Sequence, residues 1–155
     1  PVIGLHARQG DACRSGTGRT CFSALHYLAA IRNMTGRYVG VNTVFVATDS
    51  PDLVDSLRKL DGSLTWLHLD NSPHAQQLKG TLPPVMNPIL KHRMGLLDRR
   101  IVAEAGLLDL LLLRDCDYFI GQFSSAMSLM ALELSAAQKG YIPPYIGLDG
   151  PWQSM

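Results

Sequence analysis

Short runs of β-branched and aromatic residues alternate along the chain with longer stretches whose apolar positions recur at helical spacing. Val2–Leu5 reads as a strand, and 21–33 (CFSALHYLAAIRN) as a helix with apolar residues at 22, 25, 28, 29 and 31. Thr43–Thr48 (TVFVAT) is the clearest strand, a continuous apolar run of the kind buried on both faces of a parallel sheet. It ends at Asp49-Ser50-Pro51, where Ser50 suits a helix N-cap and Pro51 the first turn of a helix over Asp52–Leu60. Leu64–Leu69 (LTWLHL) is a third strand. Residues 70–90 hold Pro73, Pro83, Pro84 and Pro88 with Asn71, Ser72 and Gly80, a long loop of the kind that is usually functional or disordered. It is expected to border a binding cleft or a neighbouring domain. Residues 93–113 read as helical with Gly106 as a weak point, Asp117–Gly121 as a fourth strand, and Ser124–Lys139 as a helix closed by Gly140. Tyr145–Leu148 completes the pattern as a short strand. Repeated strand–helix units predict an α/β domain: a Rossmann-like, mainly parallel sheet flanked by helices.

A length of 155 residues predicts a single domain over 1–155. Fourteen Lys and Arg against thirteen Asp and Glu leave no basic excess for neutralising phosphates, so nucleic acid is not an expected partner. Only 17% of residues are charged, against about 25% in an average domain, which suggests that another domain covers part of the surface. Residue 1 is proline and the first strand begins at once, so the chain is expected to be a piece of a longer, two-domain protein. The longest strongly apolar run, Gly106–Leu113, contains Asp109 and is far too short to span a membrane. Cys13, Cys21 and Cys116 form no CxxC pair, and the five histidines have no metal-ligand spacing. No metal site is expected.

Ligands of open parallel sheets bind beyond the carboxyl ends of the strands. The polar residues at those positions are His6, Arg8 and Asp11 after the first strand, Asp49 and Ser50 after TVFVAT, and Gln122, Ser124 and Ser125 after DYFIG. A helix opening at Ser-Ser presents unpaired amides, and Arg8 can clamp an anion with its planar fork, so a phosphorylated or nucleotide ligand is suggested. Taken singly, each residue is equally consistent with an N-cap or a solvated arginine. The glycine-rich Ser15–Thr20 stretch lacks the third glycine of a dinucleotide fingerprint and the lysine of a P-loop, and no G-x-S-x-G elbow occurs.

His6-Ala-Arg8-Gln-Gly10-Asp11 resembles the H-x-R-R-G/T-D motif of the α-1,6-, α-1,2- and protein O-fucosyltransferase superfamily. Val44-Phe-Val-Ala-Thr48-Asp49-Ser-Pro51 is similar to its strand–A-T-D-D-P element. Leu108-Asp109-Leu110, with the later Asp117-Tyr-Phe-Ile-Gly-Gln-Phe123-Ser124-Ser125, is similar to its L-D…D-F-x-x-x-x-F-S-S region. The three occur in the family's order over roughly residues 2–135, and the layout is nearest to the branch that modifies the N-glycan core. The resemblance implies the C-terminal, donor-binding half of a GT-B-like enzyme using GDP-fucose, inverting and without a metal or other cofactor. It implies that Arg8 contacts the diphosphate as the catalytic cation, that His6 and Asp109 hold the guanosine end, that Ser124 and Ser125 donate to phosphate, and that Asp49 lines the same cleft. These residues are expected to converge at the carboxyl edge of the sheet.

The chain also departs from that pattern. Gln9 stands at the second arginine, and Ala12 and Gly16 stand where the core α-1,6 enzymes carry a lysine and a glutamate, so no general base carries over. The acceptor implied is a glycan or glycoprotein, the partner the missing N-terminal domain, and the location the Golgi or ER lumen. A non-catalytic nucleotide-sugar or glycan-binding module is the alternative, and a plain interaction scaffold a third reading. Cys13 and Cys21, eight residues apart around Gly16 and Gly18, can close a loop as a disulfide in such an oxidising lumen or remain two thiols; Cys116 is expected to be free.

Overall fold

The alternation of apolar side chains along the strands divides the core into two halves, one on each face of a parallel sheet. The computed structural model describes residues 1–9, 13, 20–69 and 99–152. Their elements are β1 (Val2–Ala7), α1 (Ala24–Arg37), β2 (Thr43–Thr48), α2 (Pro51–Leu60), β3 (Thr65–Leu67), α3 (Arg99–Asp115), β4 (Tyr118–Gly121), α4 (Ala126–Lys139) and β5 (Tyr145–Gly147). The sheet order is β3-β2-β1-β4-β5, with all pairings parallel. Ile3, Leu5 and Ala7 of β1 join Val44 and Val46 of β2 against Tyr27, Ile31 and Met34 of α1 and Leu53, Val54 and Leu57 of α2. Phe45, Ala47 and Phe119 face the opposite way, onto Leu113 of α3 and Ala131 and Leu132 of α4. This is the expected α/β architecture, with helices on both faces.

Close packing explains Gly4 on the second face. A Cβ there would meet the Cys116 side chain at 3.0–3.1 Å and Leu113 at 3.2 Å, so the missing side chain lets the end of α3 settle onto β1. Truncating Leu113, which is 1% exposed, to alanine would cost roughly 2–5 kcal/mol, the range for emptying a large aliphatic core position. Lys139 Nζ donates to the Cys116 carbonyl, tying the end of α4 to the α3–β4 connection.

Several boundaries differ from the sequence expectation for local reasons. Helix α1 starts at Ala24 because Ser23 is its N-cap: Ser23 N donates to His26 Nδ1 at 3.3 Å, and Ser23 Oγ lies 2.8 Å from the same nitrogen. The helix then continues through Gly36 to Arg37. Strand β3 is only three residues, Thr65–Leu67, on the sheet's edge. Helix α3 runs through Gly106 without a break, since its neighbours supply the packing that offsets a glycine's weak helix propensity. Ser125, not Ser124, is the N-cap of α4, and Gly140 closes that helix in the left-handed region at φ 75° as expected. The loop expected over 70–90 lies outside the described residues.

Candidate functional site

Strand order places the site. The sheet grows outward in both directions from β1 and β4, so the crevice at their carboxyl ends is the topological switch point where such folds bind ligands. The β1–β2 register ends at Ala7↔Thr48, which sets Arg8 and Asp49 side by side one residue later. Arg8 Nε lies 3.3 Å from Asp49 Oδ2. Asp49 also accepts the Gln9 backbone N–H at Oδ1, 2.7 Å away. Thr48 Oγ1 donates to the Ala7 carbonyl at 2.8 Å and accepts the Ser50 N–H at 3.1 Å, fixing how β1 and β2 leave the sheet.

The β4 side of the crevice is built differently. Gln122 is 3% exposed; its Nε2 donates to the Thr20 carbonyl at 3.0 Å, and its Oε1 accepts from the Tyr27 hydroxyl at 3.2 Å. Gln9 Nε2 donates to the Phe22 carbonyl, so the two glutamines, just past the ends of neighbouring strands, hold the return of the chain at 20–22. Burial raises the Tyr27 phenol to about 12. Asp149, just past β5, accepts the N–H of Phe123 at 2.7 Å and of Ser124 at 2.9 Å. Burial pushes the Asp149 carboxyl up, but the bonds from the Ser124 side chain and from the Ser124 and Phe123 amides outweigh it and hold the group below its usual value. Cys13 and Cys21 form a disulfide with Cα atoms 5.5 Å apart, and Cys116 is free and buried. The disulfide closes the loop directly after Arg8 and Gln9.

His6 and Asp109 belong to the α3–α4 side. The His6 side chain is 4% exposed, with Nδ1 2.6 Å from the Ser128 hydroxyl of α4. Burial lowers its pKa to about 4, with Asp49 opposing the shift and Arg8 adding to it. Helix α3 runs antiparallel to the strands and delivers the chain to the start of β4, where Asp117 N donates to the Val2 carbonyl. Leu113 packs over Gly4, and Asp109 lies one turn earlier on α3. No described residue bonds the Asp109 carboxylate, and burial raises its pKa to about 7.

The structure thus brings Arg8, Asp49, Ser124 and Ser125 to one edge and pairs the first two. His6 is engaged from below by Ser128, and Asp109 has no bond to it. Sequence reasoning missed Ser128 and Asp149. Asp149 had a signal, since it follows the last strand as Asp49 follows the second; Ser128 had only its place as a small polar residue on an apolar helix. Among the described residues no group of three His, Cys, Asp or Glu is placed to hold a metal, and no helix is long and apolar enough to cross a membrane.

No protein-family model and no curated protein matches the chain. Solved structures do. NodZ α-1,6-fucosyltransferase soaked with GDP-fucose is similar at a TM-score of 0.53 and 20% identity, over 86% of this chain and 35% of that one. POFUT1 in complex with GDP is similar at 0.57 and 14%, over 96% and 43%, and POFUT1 with GDP-fucose at 0.55 and 15%, over 95% and 41%. The chain therefore spans roughly a third to two-fifths of the length of these structures. In fold, the chain is similar to the matching part of these fucosyltransferase structures.

Proposed function

We propose that the chain is the donor-binding part of an inverting, metal-independent glycosyltransferase that moves fucose from GDP-fucose to a glycan or glycoprotein acceptor. The observation that carries this reading is that the Arg8–Asp49 pair and the turn into α4 both follow the carboxyl ends of strands flanking the β1/β4 switch point. It is supported by a fold shared with proteins crystallised with GDP or GDP-fucose. In this reading Asp49 holds the Nε edge of Arg8 and orients the planar fork toward the diphosphate. The acceptor oxygen bonds to fucose C1 as the bond from C1 to the phosphate oxygen breaks, and the electron pair leaves on GDP. Arg8 and the first amides of α4 stabilise that growing charge in place of a divalent cation. The acceptor proton passes to a base outside the described residues. A further domain of the same polypeptide supplies the acceptor side. The Cys13–Cys21 disulfide supports an oxidising compartment, the ER or Golgi lumen.

Calorimetric titration of the chain with GDP, GDP-fucose and ADP, in the presence of EDTA, tests the donor site. GDP and GDP-fucose binding with ADP weaker is expected; absence of GDP binding overturns the assignment. Ala12 and Gly16, where the resemblance calls for a lysine and a glutamate, favour a second reading as a non-catalytic nucleotide-sugar-binding module. Fucose transfer by the full-length protein separates the two: a module would bind GDP-fucose and transfer nothing.

A further inference from the structure

Ser128 is fully buried in α4, 122 residues from His6 in sequence, and its hydroxyl lies 2.6 Å from His6 Nδ1. The approach is made possible by a glycine. A Cβ on Gly121, the last residue of β4 and the neighbour of β1 at this level, would stand 2.8 Å from Ser128 Oγ. The ring nitrogen is the only described partner of that hydroxyl.

The pair can share its protons in two ways, one leaving the serine O–H without a partner and the other the ring Nε2–H. Donation by the hydroxyl keeps the fully buried O–H bonded, worth roughly 1–3 kcal/mol, and leaves the Nε2–H for a ligand to satisfy. Donation to Nδ1 requires a lone pair there, so the ring proton of neutral His6 sits on Nε2. Nε2 has no described partner, although the side chain is 96% buried. It is the ring atom left to meet a ligand, and it meets it as a donor.

We infer that Ser128 is a positioning residue that locks His6 in the Nε2–H tautomer, so that the imidazole reads an acceptor atom on the base of a bound nucleotide. The inference rests on the nucleotide-sugar reading above and deepens it. A fixed donor suits the carbonyl oxygen of a 6-oxopurine and disfavours the amino group that adenine carries at the same place. A histidine free to exchange tautomers would accept either. The displacement of the His6 pKa to about 4 keeps the ring neutral at physiological pH, where a single tautomer has meaning.

The test is long-range nitrogen–proton NMR of the histidine-labelled chain, with GDP and ADP titrations of wild type and Ser128→Ala. In wild type at pH 7, His6 is expected to carry its proton on Nε2 alone. In Ser128→Ala the two tautomers should mix, GDP affinity should fall about 3–10-fold, and ADP affinity should hold. Ser128→Cys, which keeps the volume with a weak S–H donor, should fall between. A wild-type His6 protonated on Nδ1 overturns the inference without any variant. So does a Ser128→Ala protein that keeps one tautomer and its GDP affinity while the wild type binds GDP. Failure of the wild type to bind GDP at all removes the nucleotide reading itself and the role of Ser128 with it.

Discussion

The carboxylate of Asp149 accepts the backbone N–H of Ser124 at 2.9 Å, so a residue beyond the last strand holds the turn that leads into α4. Its second oxygen takes the Phe123 N–H, and Phe123 in turn packs against Phe119 and Tyr145. Asp149→Ala leaves both amides without this partner and is expected to cost roughly 1–2 kcal/mol, a loss of several degrees in Tm. Because the folded carboxyl titrates below its usual value, its contribution is complete above the unfolded pKa and fades as pH falls through the folded one. Denaturant titrations at pH 7 and pH 3 check this: the gap between wild type and Asp149→Ala should be wide at the first and narrow at the second.

Arg8 separates a nucleotide site from a scaffold. With Gln9 in the second position, Arg8 supplies the cation of the motif. Arg8→Ala is expected to weaken GDP about 10–100-fold, the span of a lost charge-assisted bond, and Arg8→Lys to recover only part of that, since a point charge lacks the planar fork. Asp49→Asn should weaken GDP less than Arg8→Ala, because it loosens the guanidinium without removing it. Calorimetry on the three variants would rank them, and a silent Arg8→Ala would end the diphosphate role.

His6 and Asp109 give stability opposite pH dependences. His6, lowered from 6.5 to about 4, favours the folded state above pH 6.5 and loses roughly 3 kcal/mol as pH falls toward 4. Asp109, raised from 3.8 to about 7, favours it below pH 4 and loses roughly 2–4 kcal/mol as pH rises through 7. Wild-type stability should therefore be nearly flat between pH 4 and 6.5. Asp109→Asn should expose the histidine slope and be more stable than wild type at pH 8, while weakening GDP if the carboxylate holds the base. Urea midpoints from pH 4 to 8 for wild type and variant decide it.

Closing the loop between Cys13 and Cys21 should contribute roughly 2–3 kcal/mol through the entropy of the unfolded chain. A Cys13→Ser, Cys21→Ser double variant is expected to melt lower by several degrees and to bind GDP less tightly, because the loop begins beside Arg8. Thermal melts with and without reductant should shift the wild type and leave the double variant unmoved.

The parts of this fold that were legible in sequence are those fixed by local chemistry. Thr43–Thr48 could only be a strand covered on both faces, and Gly140 falls where α4 needs a residue at φ 75°. Arg8 and Asp49 were legible as neighbours because strands that end in register put their next residues together. The start of α1 was misplaced because Ser23 and His26 cap each other by side-chain geometry that hydrophobic spacing does not record. His6 was read as following the first strand, but it lies inside β1, where strand parity turns its Nδ1 to Ser128 of α4, and no local pattern in residues 2–7 says which helix covers that face.

The central position of β1 and β4 also bears on how the protein is made. His6 and Ser128 are 122 residues apart in the chain, yet they sit in adjoining layers at the heart of the sheet. At about 5–20 residues per second, a ribosome needs roughly 6–25 s to add the second after the first. During that interval β1 is paired on one side at most, and its other edge and the α3–α4 face wait uncovered. The crevice at the β1/β4 switch point is thus among the last features of the domain to exist, and the nascent chain must be kept from other strands until β4 arrives.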